Sequence, residues 1–487
     1  MTAVGTENDD PSVVVSSPDR SSPASRRALV GPVLSLAGWC GFAWYVLWQG
    51  TVGPPVLWTD STSYATVAGH PLWSTGFWAG QRPPLAPLVL KMVGSSTGFV
   101  AFQSLLAVAA WGLLAFTVGR LVPAGWRRVA AAWTVLAFAS TTPVILWNRS
   151  VLSESLSLSI LAVLVAAVIW TARHLTWPRV TAVLLASWAF AETRDAQVWT
   201  VGLLGLALAV VVLVHGRRHR RWSRRAGALA AGLLLVAGLT GGDAGHTGRT
   251  IQNMANVLFV RVFPFPARVS WFAAHGMPDA PTIDRLAAGV AATPGTAKVV
   301  GLDLSDPDNA RLGRWIADHG QATYLLWLVT HPDYLITEPL LRPEQAFNFA
   351  NGSLTFYAVT GRVDSPLTAV FWPAWWWLLP LTAIGLVAAT VTGWWRERSA
   401  PTVVLLAVVG LLSMLIAWQG DGQEVTRHTI EGFAELRLAV LVLFVIGLLR
   451  TTRRPWPGGG DAGQPSSRRR TARARPFTPT VGRRSRT

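Results

Sequence analysis

Long apolar runs separated by short polar stretches recur along the chain from residue 28 to residue 450. Ten of them, at 28–48, 99–119, 129–147, 152–171, 179–193, 197–214, 226–242, 368–392, 401–418 and 434–450, read as transmembrane helices. The reason is length, since roughly 20 apolar residues in a helix cross about 30 Å of hydrocarbon. The polar stretches between the runs alternate in charge. Arg26 and Arg27, Arg127 and Arg128, Arg173 and Arg179, the cluster Arg217, Arg218, Arg220, Arg221, Arg224 and Arg225, and Arg396 with Arg398 fall in every second stretch. Basic residues gather on the cytoplasmic side of membrane proteins, so both termini are expected to be cytoplasmic and residues 243–367 to lie outside.

The expected fold class is therefore an all-α integral membrane protein of about ten transmembrane helices. A seven-helix module over 28–242 carries a large first outer loop at 49–98. A mixed extracytoplasmic segment over 243–367 follows, and three further helices lie within 368–450. Composition agrees, because only 14% of the residues are charged and mean hydropathy is +0.37, against about 25% charged residues in soluble domains.

The net charge of +17 raises the question of nucleic acid, but its distribution answers it. Much of the excess lies in the tail over 451–487, where Arg alternates with Pro, Gly, Ser and Thr. Such a segment has too few apolar residues to bury a core and is expected to be disordered. Membrane lipids with anionic headgroups are the expected partner for it, and nucleic acid is not. Residues 1–27 read as a second disordered arm. Cys40 is the only cysteine and falls inside the first run, which excludes disulfides and thiol metal sites. Lys91 and Lys298 are the only lysines among 42 basic residues, a bias of GC-rich bacterial genomes, so the expected location is a bacterial cytoplasmic membrane.

Ionisable groups at the edge of a membrane are costly and mark candidate sites. Four places stand on the expected outer side. The first loop holds Asp60 and, four residues later, Tyr64, followed by Arg82-Pro83-Pro84-Leu85. The plainer role for Asp60 is a helix cap. Ser153-Glu154 opens the fourth run, where a carboxylate also serves simply to offset the helix dipole. Glu192-Thr193-Arg194-Asp195 follows the fifth run and reads equally as a local ion pair of little energy. Glu424-Val425-Thr426-Arg427-His428 precedes the last run and reads otherwise as an ordinary polar loop. Asp303, Asp306 and Asp308 lack the Gly and distal Glu of a calcium loop, and Asp306 to Asn309 suits a helix cap, so no metal-ligand set is read from the chain. Asn148-Arg149-Ser150 and Asn351-Gly352-Ser353 fit the glycosylation sequon, which says little in a bacterial chain. No Gly-rich phosphate-cradling loop occurs, which speaks against an ATP-driven pump.

Taken together, an Asp followed by Tyr in the first outer loop, a Pro-Pro-Leu element before the second run, Ser-Glu at the fourth and Arg-His before the last resemble the GT-C class. These are polytopic glycosyltransferases that use polyprenyl-phosphate sugar donors, including the protein mannosyltransferase and aminoarabinose transferase families. The matching pieces run over 58–199 and 424–441. Many members carry two adjacent acids in the first loop, whereas here Ser61 follows Asp60.

The resemblance implies a membrane glycosyltransferase that moves sugar from a polyprenyl-phosphate donor to an extracytoplasmic acceptor, which is a lipid, a glycan or a protein. It implies Asp60 as the catalytic base. Arg82, Arg194 or Arg427 would hold the phosphate, Glu154 would orient one of these or bind a sugar hydroxyl, and Tyr64 and His428 would bind substrate. No cofactor is expected, with a divalent metal left open. Two other classes also fit ten spans: a non-catalytic membrane protein of envelope biosynthesis, and a secondary transporter or lipid flippase. The latter places charges at the bilayer midplane and often shows internal repeats, and neither feature is read here.

Overall fold

The computed structural model of the protein describes residues 23–215, 220–246, 249–279, 281, 283–284, 307–341, 365–420, 422 and 425–451. The arm before residue 23, Arg217 and Arg218, Asp303 and Asp306, the sequon at Asn351, Glu424 and the basic tail lie outside the described residues.

Among those residues the chain is helical, with one isolated parallel bridge between Val56 and Ser150 in place of any sheet. After α1 (Pro23–Thr51) a long connection carries α2 (Thr59–Gly69), α3 (Thr75–Trp78) and α4 (Leu85–Val93). Next come α5 (Ser96–Gly119), α6 (Trp126–Ala139), α7 (Thr142–Ile145), α8 (Glu154–Arg173), α9 (Trp177–Ala191), α10 (Gln197–His215) and α11 (Arg220–His246). The described parts of the segment expected to be mixed are also helices: α12 (Arg249–Arg261), α13 (Pro266–Ala274), α14 (Ala310–Trp315), α15 (Gln321–Thr330) and α16 (Pro332–Leu341). Last are α17 (Leu367–Phe371), α18 (Leu378–Val391), α19 (Ser399–Gly420), α20 (Val425–His428) and α21 (Ile430–Thr451).

This is an all-α membrane protein, but not one of ten spans. Six helices, α5, α8, α10, α11, α19 and α21, are long and apolar enough to cross a membrane, and the number rises to seven if α6 and the bent segment after it count as one. The third apolar run turns by 59° between Ala139 and Thr142, where Pro143, which has no N–H to donate, starts a new helix. The fifth run yields only the 15 residues of α9, about 22 Å at 1.5 Å per residue. The eighth is split: α17 ends at Phe371, and a second helix that starts in the 3₁₀ turn Trp375–Trp377 reaches Val391 in only 17 residues. The first run lies within the 29-residue α1, which is long enough to span.

The main core packs α5 against α1, α6 and α8, and α21 against α6, α8, α18 and α19. Apolar side chains such as Leu105, Phe116, Leu213, Leu235 and Val387 remain exposed around the bundle, as lipid-facing positions require. Lipid offers no hydrophobic drive between helices, so small residues that permit close backbone approach decide which pairs form. Gly410 of α19 and Gly432 of α21 meet in this way. A methyl on Gly410 would stand 2.7 Å from the Leu436 nitrogen, and one on Gly432 would stand 2.7 Å from the Met414 nitrogen. Helices α12 to α16 enclose a second apolar cluster around Phe272, Trp315, Tyr324 and Trp327. It is tied to the end of α19 by the Tyr324 hydroxyl, which donates to Gln419 Oε1 at 2.8 Å.

Because the atoms facing Gly432 are backbone, they have nowhere to move. Gly432→Ala is expected to destabilise the protein by about 1–3 kcal/mol, the usual cost of overpacking. Gly238→Ala, which meets nothing within 4 Å, should leave stability unchanged or slightly raised. Thermal unfolding of both variants in detergent micelles checks the pair.

Candidate functional site

The connection between α1 and α5 is fastened to the segment before α8 by several bonds that fix where its side chains point. The Val56 N–H donates to the Arg149 carbonyl at 2.9 Å, and the Val151 N–H donates back to the Val56 carbonyl at 3.0 Å. At the start of α2 the Ser61 hydroxyl accepts from the Trp58 N–H at 2.9 Å and donates to the Val151 carbonyl at 2.7 Å. Trp58 is the N-cap residue, so Asp60 is not the cap expected of it and its carboxylate is released for other partners. One turn later the buried Tyr64 donates its hydroxyl to Ser153 at 3.2 Å. From α5, the buried Gln103 amide donates to the carbonyls of Trp147, Asn148 and Ser150, which anchors the approach to α8. Glu154, the first residue of α8, is thereby held inside the bundle with no exposed surface.

Arg194 enters from the turn between α9 and α10. Thr193 shapes that turn by donating to the Phe190 carbonyl at 2.6 Å. Arg427 and His428 enter from α20, and Glu431 from the first turn of α21.

These side chains form one alternating chain of charges. Arg82 NH2 meets Asp60 Oδ1 at 2.5 Å, and Arg427 NH2 meets Asp60 Oδ2 at 2.6 Å. Arg427 Nε donates to Glu154 Oε1. Arg194 NH1 lies 3.4 Å from the same Glu154 oxygen and 3.0 Å from Glu431 Oε1. Three guanidiniums and three carboxylates thus alternate from Arg82 to Glu431. Exposure falls along the chain. The Arg82 side chain is 36% exposed and Asp60 18%, but Arg427 is 8% and Glu154 0%.

The electrostatics follow from that gradient. Burial alone would raise the Asp60 carboxyl, but the guanidiniums of Arg427 and Arg82 outweigh it and hold the group below the ordinary carboxylate range. Burial lowers the His428 imidazole, and the positive charges of Arg194 and Arg427 push it further, to well below its usual value. His428 is therefore neutral. Its Nδ1 accepts from Arg194 NH2 at 2.9 Å, since a guanidinium only donates, and its proton sits on Nε2.

All seven residues singled out in the sequence, Asp60, Tyr64, Arg82, Glu154, Arg194, Arg427 and His428, meet at this one end of the bundle. Some of the simpler readings give way to longer contacts. Arg194 does not close a local pair with its neighbours in sequence but reaches Glu154 and Glu431, and Glu154 meets two arginines as well as the helix dipole. Tyr64 is buried, with Arg82 5.7 Å above its ring, so it supports Arg82 and presents no open face to a sugar. Arg194 and Arg427 are likewise buried and engaged with carboxylates, which leaves Arg82 as the most accessible cation of the chain.

Two contributors escaped the sequence reading. Glu431 stands between the polar stretch 424–428 and the apolar run at 434–450 and was assigned to neither, although a pair of acids four residues apart, Glu431 and Glu435, in one helix was a visible signal. Ser63 accepts from Arg82 Nε at 2.8 Å, and nothing in the sequence distinguishes it from the neighbouring Ser and Thr. Among the described residues no three His, Cys, Asp or Glu side chains gather as metal ligands. No protein-family model matches the chain, and no curated protein matches it.

A histidine whose folded value is depressed adds stability in full above its unfolded value and loses it as the pH falls toward the folded one. Thermal stability in micelles should therefore decline as the pH drops from about 6.5 to about 5, the range in which an unfolded imidazole takes up its proton. His428→Gln should flatten that decline, and melting curves of both proteins across this range provide the check.

Proposed function

We propose that the protein is a membrane glycosyltransferase of the GT-C kind, moving a sugar from a polyprenyl-phosphate donor to an acceptor hydroxyl on the outer face of a bacterial cytoplasmic membrane. What supports this most is the convergence of the alternating charge chain at one end of an apolar bundle, with an acid and a cation at its accessible end. In an apolar surrounding, three guanidiniums and three carboxylates cost far more than apolar residues of similar size would, and such groups mark functional sites by default.

In this reading Asp60 takes the proton of the acceptor hydroxyl. The acceptor oxygen bonds to the anomeric carbon as the bond from that carbon to the phosphate oxygen breaks, and the electron pair departs on the phosphate. Arg82 meets the charge that develops there, because a guanidinium donates paired bonds to phosphate oxygens. Arg427 and Arg194, being buried, position Asp60 and Glu154 rather than touch the donor. Membrane lipids surround the bundle and supply the donor from within the same layer.

One observation favours a second reading. Both oxygens of Asp60 already accept from arginines, as they would in a non-catalytic envelope protein whose charges serve only to fix the fold. Asp60→Asn separates the two. The amide oxygen still accepts from one arginine, so the fold should survive, while transfer from a polyprenyl-phosphate sugar by the purified variant should fall by about 10² to 10⁴-fold, the usual worth of a general base. A rate equal to that of the unmodified protein, at matched stability, would remove Asp60 from the chemistry and favour the scaffold.

A further inference from the structure

The Asp60 carboxylate is engaged on both sides, and the two engagements are unequal. Arg427, on Oδ2, is buried and is also fixed by its Nε to Glu154. Arg82, on Oδ1, is the most exposed member of the charge chain and comes from the non-helical stretch between α3 and α4. Besides Asp60, its guanidinium donates to the Ser63 hydroxyl and lies over the Tyr64 ring. A carboxylate that accepts from a guanidinium on each oxygen is a weak proton acceptor, since both positive charges favour its ionised form.

We propose that the Arg82–Asp60 pair is a gate. A phosphodiester group entering the site draws the Arg82 guanidinium from Asp60 Oδ1 onto its own oxygens, and the freed Oδ1 becomes the atom that receives the acceptor's proton. The exchange replaces one charge-assisted pair by another at a half-open position, so it is close to balanced. Arg427 stays in place because withdrawing it would take from the buried Glu154 the nearer of its two arginines. The consequence for transfer, which rests on the glycosyltransferase reading, is a fixed order. Donor phosphate binds first and acceptor deprotonation follows, so the carboxylate stays a weak base while the site is empty.

The exchange is measurable without any transfer. The purified full-length protein in micelles is treated with a water-soluble carbodiimide and an amine, and modification of Asp60 is read by peptide mass spectrometry. The probes are didecyl phosphate, dimethyl phosphate and, as the uncharged control, dodecanol. Modification of Asp60 should rise severalfold with the phosphodiester and stay constant with dodecanol. A rise confined to didecyl phosphate assigns the entering group to a lipid headgroup, and an equal rise with dimethyl phosphate assigns it to a soluble phosphodiester; either supports the gate. Arg82→Gln should show the high level with no probe and no further rise. Should that variant fail to fold, Ser63→Ala, which removes the other hydroxyl partner of Arg82, should give an intermediate level. Modification that is unchanged or lowered by both phosphodiesters in the unmodified protein would overturn the gate. Failure of sugar transfer with the rise intact would sink the glycosyltransferase reading and leave the gate standing.

Discussion

Charge buried at the end of an apolar bundle must be neutralised by charge, and this requirement organises the molecule. Glu154 has no exposed surface and Arg427, Arg194 and Glu431 have almost none. Any one of them left alone would carry an uncompensated charge, which typically costs about 3–5 kcal/mol when a buried pair is broken. The alternation from Arg82 to Glu431 meets that requirement with three charges of each sign. Each inner member touches two of opposite sign, so α2, α8, the α9–α10 turn, α20 and α21 are fixed relative to one another at that end.

Elsewhere the bundle relies on different contacts. Gly410 against Gly432 brings α19 and α21 together, and Gly447 of α21 meets Ala388 and Gly385 of α18. Close backbone approach along α21 sets its rotation, and that rotation points Glu431 toward Arg194. The inter-helix glycines and the ion chain therefore act on the same helix at successive levels. The costly set of charges thus stands in a position that packing alone does not demand.

Much of the fold was legible in the sequence, because the length and apolarity of a run are local properties. Where the reading overshot, the cause was also local: Pro143 breaks the third run, α9 stops after 15 residues, and the Trp-rich start of the eighth run leaves it only a short apolar helix. The site was legible in part. Asp60, Glu154, Arg194 and Arg427 stood out as charges at the ends of apolar runs, which is again a local signal. Their partners were not readable, since Asp60 and Arg427 are 367 residues apart, Glu154 and Arg427 are 273 apart, and Arg194 and Glu431 are 237 apart. Spacing carries no information over such distances. Glu431 was missed because it falls between the polar stretch 424–428 and the run at 434–450 and looks like the ordinary start of a helix.

The most direct test of the account is the energetic coupling between Glu154 and Arg427, measured by a double-mutant cycle on unfolding in detergent micelles. If the charge chain holds this end together, Glu154→Gln and Arg427→Gln should each destabilise strongly, and the double variant should lose less than the sum of the two by more than about 1 kcal/mol, since neither charge is then left alone. Strictly additive losses would contradict the account, because they would mean that the two side chains contribute to stability independently and that no coupled chain exists.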